Sequence, residues 1–156
     1  LIFRNAARAA DGAPGSAETG DAALRDLFVR KIDESSNAVV AADGSGLSLL
    51  DRVTPRAMTR MLVWAHEQPW GDVFHASLPV AGQSELLRTR MRGGAADGNL
   101  HAKTGTTDEV IGLAGYTTAL NGEVIAFTFI YNGTDRWNAR ATIDAMGTTL
   151  SAFARP

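Results

Sequence analysis

The stretch from residue 99 to residue 132 constrains the fold more than any other part of the chain. Three consecutive runs read as strands, over residues 99–106, 110–118 and 124–131. Asn121-Gly122 stands between the second and third, and Asn-Gly is the favoured pair of a two-residue hairpin turn. The pattern therefore predicts an antiparallel meander. In the third run Ile125, Phe127, Phe129 and Tyr131 fall on one face, and Val124, Ala126, Thr128 and Ile130 on the other. With both faces largely apolar, this strand is expected to be central and covered on each side. A last helix should follow Asn132-Gly133-Thr134-Asp135 and pack on the hairpin through Ala139, Ile143, Met146, Leu150 and Phe153.

Before residue 99 the chain reads mostly as helix. Leu1 to Ala10 resembles a helix end, stopped by the breaker cluster Asp11-Gly12-Ala13-Pro14-Gly15. Asp21 is the expected N-cap of a second helix with Leu24, Leu27, Phe28 and Ile32 as its apolar stripe. Residues 38–41 form a short apolar strand that runs into the glycine-rich loop Asp43-Gly44-Ser45-Gly46-Leu47-Ser48. Neither Ser45 nor Ser48 sits in a Gly-x-Ser-x-Gly elbow, so both read as turn residues. Thr54-Pro55 marks a helix start, with Met58, Met61, Leu62 and Ala65 as the expected buried face. Pro69-Trp70-Gly71 ends it. Leu86 to Arg90 suggests one more short helix, and residues 93–98 a connector. Helices first, then a meander, then a covering helix describe an α/β layered domain of the α+β type, an antiparallel sheet flanked by helices.

Bulk composition narrows the function. A formal charge of −2 offers no argument for nucleic acid or an anionic membrane surface, and no run of 18 apolar residues exists to span a bilayer. Cysteine is absent, which removes disulfides and thiolate chemistry. His66, His75 and His101 lack the spacing of a metal site on one helix, so neither a metal nor a cofactor is expected.

The first strand of the meander holds the chemistry. Asn99-Leu100-His101-Ala102-Lys103-Thr104-Gly105-Thr106-Thr107 places one of only two lysines in the chain beside a row of hydroxyls. An ammonium supplies a compact point charge and hydroxyls donate without adding charge, which suits an anion clamp. Gly105 leaves room for a ligand's backbone against the strand. Alternation puts His101, Lys103 and Gly105 on one face and Leu100, Ala102 and Thr104 on the other. His101 is expected as a solvated strand histidine, with coupling to Lys103 on the same face as the alternative.

Three segments, in order and spacing, resemble a known family: Ala42-Asp43-Gly44-Ser45-Gly46-Leu47-Ser48, Ser77-Leu78-Pro79-Val80-Ala81-Gly82 and Ala102-Lys103-Thr104-Gly105-Thr106. They look like the D-alanyl-D-alanine carboxypeptidase/endopeptidase family of class C low-molecular-mass penicillin-binding proteins, the DacB-like serine peptidases. Gly112-Leu113-Ala114-Gly115-Tyr116 also resembles the family's strand after the triplet. The resemblance implies part of the β-lactamase/DD-peptidase transpeptidase-like fold. It also implies an extracytoplasmic serine acyl-transfer enzyme that acts on the D-Ala-D-Ala end of peptidoglycan stem peptides and binds β-lactam antibiotics. On this likeness Lys103 is a catalytic-site residue, and Thr104, Gly105 and Thr106 bind substrate. The Thr106 N–H serves as an oxyanion donor, and Leu47, Thr107 and Asp108 wall the pocket. Loop packing and a solvated turn stand as the alternative roles of Leu47, Thr107 and Asp108.

The sequence also departs from the family pattern. The family needs Ser-x-x-Lys, and no serine here has a lysine three positions on. Residues 1–156 are therefore expected to be the C-terminal part of a penicillin-binding domain, inactive alone and completed by the remainder of the same protein. Ser35-Ser36-Asn37 matches Ser-x-Asn only as a string, and the true motif is expected before residue 1. Where the family commonly has an arginine after Ser-Gly-Leu-Ser, this chain has Leu49. Two other readings stay open: a non-catalytic peptidoglycan-binding homologue, and a β-lactamase or esterase of the same fold.

Overall fold

A computed structural model describes residues 2–12 and 14–155, which group into two units, Leu1–Trp64 and Ala65–Pro156. Leu1 and Ala13, read above as part of a helix and of its stop, lie outside the described residues.

The first unit begins with α1 (Ile2–Asp11) and α2 (Ala17–Lys31). Ser16, not Asp21, is the N-cap of α2: its Oγ accepts the Thr19 N–H at 3.0 Å, and Thr19 Oγ1 accepts the Ser16 N–H at 2.9 Å. That reciprocal pair satisfies two orphan N–H groups, so the helix starts a turn early. Asp21 is left inside the helix, where its carboxylate accepts from the Ala41 N–H at 2.7 Å and from Arg25 at 2.6 Å. Strands β1 (Val39–Val40) and β2 (Arg52–Val53) pair antiparallel. The Phe3 ring occupies the space that side chains on Gly20 and Gly44 would need. Helix α3 (Pro55–His66) opens on Thr54, whose Oγ1 accepts from the Ala57 N–H at 3.1 Å. Phe28, Ile32, Ala38, Val39 and Ala57 make this unit's core. Leu62 and Ala65 are buried as expected, whereas Met58 and Met61 are half-buried.

The second unit contains α4 (Gly71–Ser77), a single 3-10 turn at Glu85–Leu87, strands β3 (His101–Thr106), β4 (Val110–Thr118) and β5 (Val124–Asn132), and helix α5 (Arg136–Ser151). The sheet is the expected antiparallel meander in the order β3-β4-β5. Its hairpin loop is longer than two residues. The Gly122 N–H donates to the Ala119 carbonyl, the Ala119 N–H to the Glu123 carbonyl, and positive φ falls on Gly122 alone. This is a three-residue loop with glycine in the left-handed position.

Among the described residues, strand β5 stands at the end of the sheet and not at its centre. Apolar alternation reports which faces are covered, and it says nothing of a strand's place in the order. One face is covered by α5: Ala139 and Ile143 pack with Leu100, Ala102, Ile111, Leu113 and Phe127, and Phe129, Tyr131 and Leu150 close the cluster. The expected Met146 and Phe153 are exposed instead.

Candidate active site

Strand β3 has two halves with different neighbours on its outer edge. The Ala81 N–H donates to the Leu100 carbonyl and the Ala102 N–H to the Pro79 carbonyl, at 2.9 and 2.8 Å, and Val80 bridges to His101. The segment Pro79–Ala81 therefore covers the beginning of the strand. On the inner edge, the Thr107 N–H donates to the Val110 carbonyl. Bonded pairs alternate along an antiparallel ladder, so residues 101, 103 and 105 share the phase of Thr107 and bond inward. The N–H and C=O groups of Thr104 and Thr106 consequently point outward, beyond the reach of Pro79–Ala81. The edge is open along the Lys-Thr-Gly-Thr stretch and sealed just before it.

Side chains divide between the two faces as alternation requires. Lys103 is exposed, and its ammonium donates to the outward-pointing Thr104 carbonyl at 2.7 Å. A side chain at Gly105 would meet nothing within 4 Å, so the space over the strand there is empty. Gly115 differs: a Cβ there would lie 2.1 Å from the His101 carbonyl oxygen, and this close approach seats the covered half of β3 on β4. Thr107 accepts the Val110 N–H on its hydroxyl at 3.1 Å, closing the turn into β4, and Asp108 is fully exposed with Arg136 at 3.9 Å.

Thr104 and Thr106 face the α5 side and line a cavity of about 260 Å³. Ile111 and Leu86 supply apolar lining, and Arg136, Trp137 and Arg140 enter from the first turns of α5. Arg90, also at this cavity, is buried and neutralised by Asp144, which takes its Nε at 2.9 Å and its Nη2 at 2.5 Å. Arg136 and Arg140, four residues apart and hence on one helix face, are a signal separate from the apolar stripe of α5.

The opposite face brings together the three histidines that looked unrelated. His75 lies against His101 at 4.7 Å and Tyr116 at 4.8 Å between ring centroids, with His66 at 5.8 Å from Tyr116. His101 is half-buried rather than solvated, and its buried Nδ1 has no hydrogen-bond partner among the described residues. Burial, then the neighbouring His101 and His66, hold the His75 pKa below its usual value against a smaller opposite pull from Asp72. Burial pushes Tyr116 up to about 12. No metal-holding cluster exists among the described residues.

In the first unit, Leu47 is 72% exposed in the glycine-rich loop, and Leu49 is exposed as well. Asp43 accepts the Ser45 N–H, Ser45 Oγ the Leu47 N–H and Ser48 Oγ the Leu50 N–H, at 2.8, 3.1 and 3.2 Å, as expected of turns. Ser35 and Asn37 likewise form an exposed turn, the Asn37 N–H donating to Ser35 Oγ at 3.2 Å.

The antiparallel sheet backed by α5 belongs to a DD-peptidase fold. The crystal structure of penicillin binding protein 4 (dacB) from Haemophilus influenzae superposes on it with a TM-score of 0.77 at 27% identity, over 94% of this chain and 36% of that one. A predatory endopeptidase of Bdellovibrio bacteriovorus shares the fold, with a TM-score of 0.71 at 20% identity over 96% of this chain and 43% of its own. The family follows from the sequence match: residues 1–153 fit the D-Ala-D-Ala carboxypeptidase 3 (S13) family, and the chain belongs to it. Among its relatives, the D-alanyl-D-alanine carboxypeptidase of Actinomadura sp. (strain R39) is 40% identical over 121 residues, 74% of this chain and 22% of the relative. Carboxypeptidase DacB of Mycolicibacterium smegmatis is 36% identical over 128 residues, 78% of this chain and 28% of the relative. The chain thus spans about a quarter of the length of the curated relatives it matches.

Proposed function

We propose that this chain is part of a penicillin-binding domain and supplies the Lys-Thr-Gly wall of a serine-type D-Ala-D-Ala carboxypeptidase. The observation behind this reading is the open half of β3. The N–H and C=O groups of Thr104 and Thr106 are presented outward, above the empty space at Gly105. An extended peptide can add to such an edge as one more strand, with its backbone against Gly105. In this reading the Thr106 N–H donates to the oxygen that becomes an oxyanion during acyl transfer. The hydroxyls of Thr104 and Thr106 bind the terminal carboxylate, and Lys103 supplies positive potential at the strand edge.

The nucleophilic serine and its lysine base come from residues outside these 156, since Ser-x-x-Lys does not occur in them. Thr107 and Asp108 are assigned to the pocket wall at the end of the strand, and Leu47 to substrate binding as the family resemblance implies. The work is placed outside the cytoplasmic membrane, on peptidoglycan stem peptides, with β-lactams as acylating inhibitors. No described helix is long and apolar enough to cross a membrane.

The complete protein tests the proposal. It should release D-alanine from a peptide ending in D-Ala-D-Ala and be acylated by a fluorescent penicillin. Lys103→Ala should slow acylation about 100-fold, the scale of losing one preorganised electrostatic group. A rate unchanged by Lys103→Ala would remove that residue from the site. A complete protein that neither cleaves nor acylates would be a non-catalytic homologue.

A further inference from the structure

Two of the three histidines meet where the seal joins the strand. His75 lies in the last turn of α4, and its carbonyl accepts the Leu78 N–H at 3.2 Å, one residue before the segment Pro79–Ala81 that covers β3. His101 is the first residue of β3; Val80 bridges to it, and the Ala102 N–H beside it donates to the Pro79 carbonyl. Their rings meet edge to face, with centroids 4.7 Å apart. One ring thus comes from the helix that leads into the seal, and the other from the strand that is sealed.

Neither ring is placed to carry a charge while this seam is closed. An imidazolium needs an acceptor for each of its two N–H groups, and the buried Nδ1 of His101 has none among the described residues. His75 is half-buried, and burial, then His101 and His66, resist its proton, with Asp72 opposing them more weakly. Two further groups face the pair. Tyr116 of β4, with a pKa of about 12, stays neutral, and Lys103, on the same face of β3 as His101, adds positive charge. Pro79–Ala81 carries no ionisable side chain.

We infer that His75 and His101 form an acid-released latch on β3: uncharged, they pack together and hold Pro79–Ala81 against the strand, and protonated, they part, so that the bare edge extends back from Lys103 toward Leu100. Once the seam opens, water reaches both rings and a charge on them costs less. The opened state therefore takes up a proton that the closed state resists, and opening becomes more favourable as pH falls below about 6.5, the ordinary histidine value. For the site, the inference rests on the reading that a peptide adds to the open half of the strand. The sealed half anchors that half, which makes His75 and His101 positioning residues.

The test is amide hydrogen exchange in the complete protein, followed by NMR between pH 7 and pH 5 and expressed as protection relative to the intrinsic rate at each pH. The Ala102 and Ala81 N–H groups report on the seal, and the Ala114 N–H, in the bonded pair with Lys103, reports on the inner ladder. Protection at Ala102 and Ala81 should fall below pH 6.5 by as much as about tenfold per pH unit, the limit for one linked proton, while Ala114 holds. His75→Phe keeps a ring in place and should remove the fall; should that variant not fold, His101→Gln takes its place with the same expectation. Level protection in the unaltered protein, an equal fall at Ala114, or a fall that persists in the variant overturns the inference. These amides report on the strand and not on the chemistry. Penicillin acylation with level protection removes the latch alone, and an acid-dependent fall without acylation removes the enzymatic reading alone.

Discussion

The two halves of β3 share one strand, one partner and one register, yet differ in what their outer edge meets. His101 and Ala102 are sealed by Pro79–Ala81 and pressed onto Gly115, close enough that a methyl group there would overlap the His101 carbonyl. Lys103 to Thr106 pair with Ala114, Leu113, Gly112 and Ile111 on the inner side, and no described backbone group bonds to Thr104 or Thr106 on the outer. An edge strand left bare over its whole length invites pairing with any other chain. Sealing one half restricts that hazard to four residues, and in those four it becomes a means of recognition. The difference lies in the neighbours, because propensity along the strand does not change between the halves.

Substitutions can break this contrast, and the largest effect should come from the sealed half. Gly115→Ala is expected to lose about 3 kcal/mol of stability, since backbone at 2.1 Å cannot yield as a side-chain end would. Gly112→Ala meets only the Phe129 carbonyl at 3.6 Å, and should stay within about 1 kcal/mol of the unaltered protein. Denaturant titration of the two variants side by side checks the pair; similar losses would erase the distinction. Gly105→Ala is the counterpart in the open half. It should leave stability within about 0.5 kcal/mol, since nothing lies within 4 Å. Penicillin acylation of the complete protein should nonetheless fall about tenfold, because the new methyl displaces the ligand. A rate unaffected by the methyl group would mean that nothing lies over Gly105.

The smallest effect concerns acid. His75, packed against the rings of His101 and Tyr116 and burdened by burial and the charges of His101 and His66 against a smaller pull from Asp72, has its pKa lowered from the usual 6.5 in the folded state. The unfolded chain therefore takes up the proton first, and stability present above about pH 6.5 declines as pH falls through that value. His75→Phe keeps a ring in place and removes the titration. Thermal melts should show a weaker drop between pH 7 and pH 5 for the variant than for the unaltered protein. Parallel curves would exclude His75 as the source.

The meander, the covering helix and the Lys-Thr-Gly strand were legible because period-two alternation, the Asn-Gly turn and a rare lysine are local signals. What escaped was set by tertiary neighbours. Ser16 outcompeted Asp21 as a cap through a reciprocal bond with Thr19, a pairing visible in the sequence once Ser-x-x-Thr is read as a capping box. The end position of β5 depends on strand order, which alternation does not encode. The sealing of β3 depends on Pro79–Ala81, some twenty residues away, and the histidine cluster joins α3, α4 and β3 around Tyr116.

The most direct measurement is a crystal structure of the complete protein acylated by a β-lactam. The account predicts the acyl carbonyl oxygen within hydrogen-bond distance of the Thr106 N–H, with the ligand's backbone antiparallel to Lys103–Thr106 and its carboxylate toward Thr104. An acyl group lodged elsewhere, with the Thr104–Thr106 edge still facing water, would contradict it.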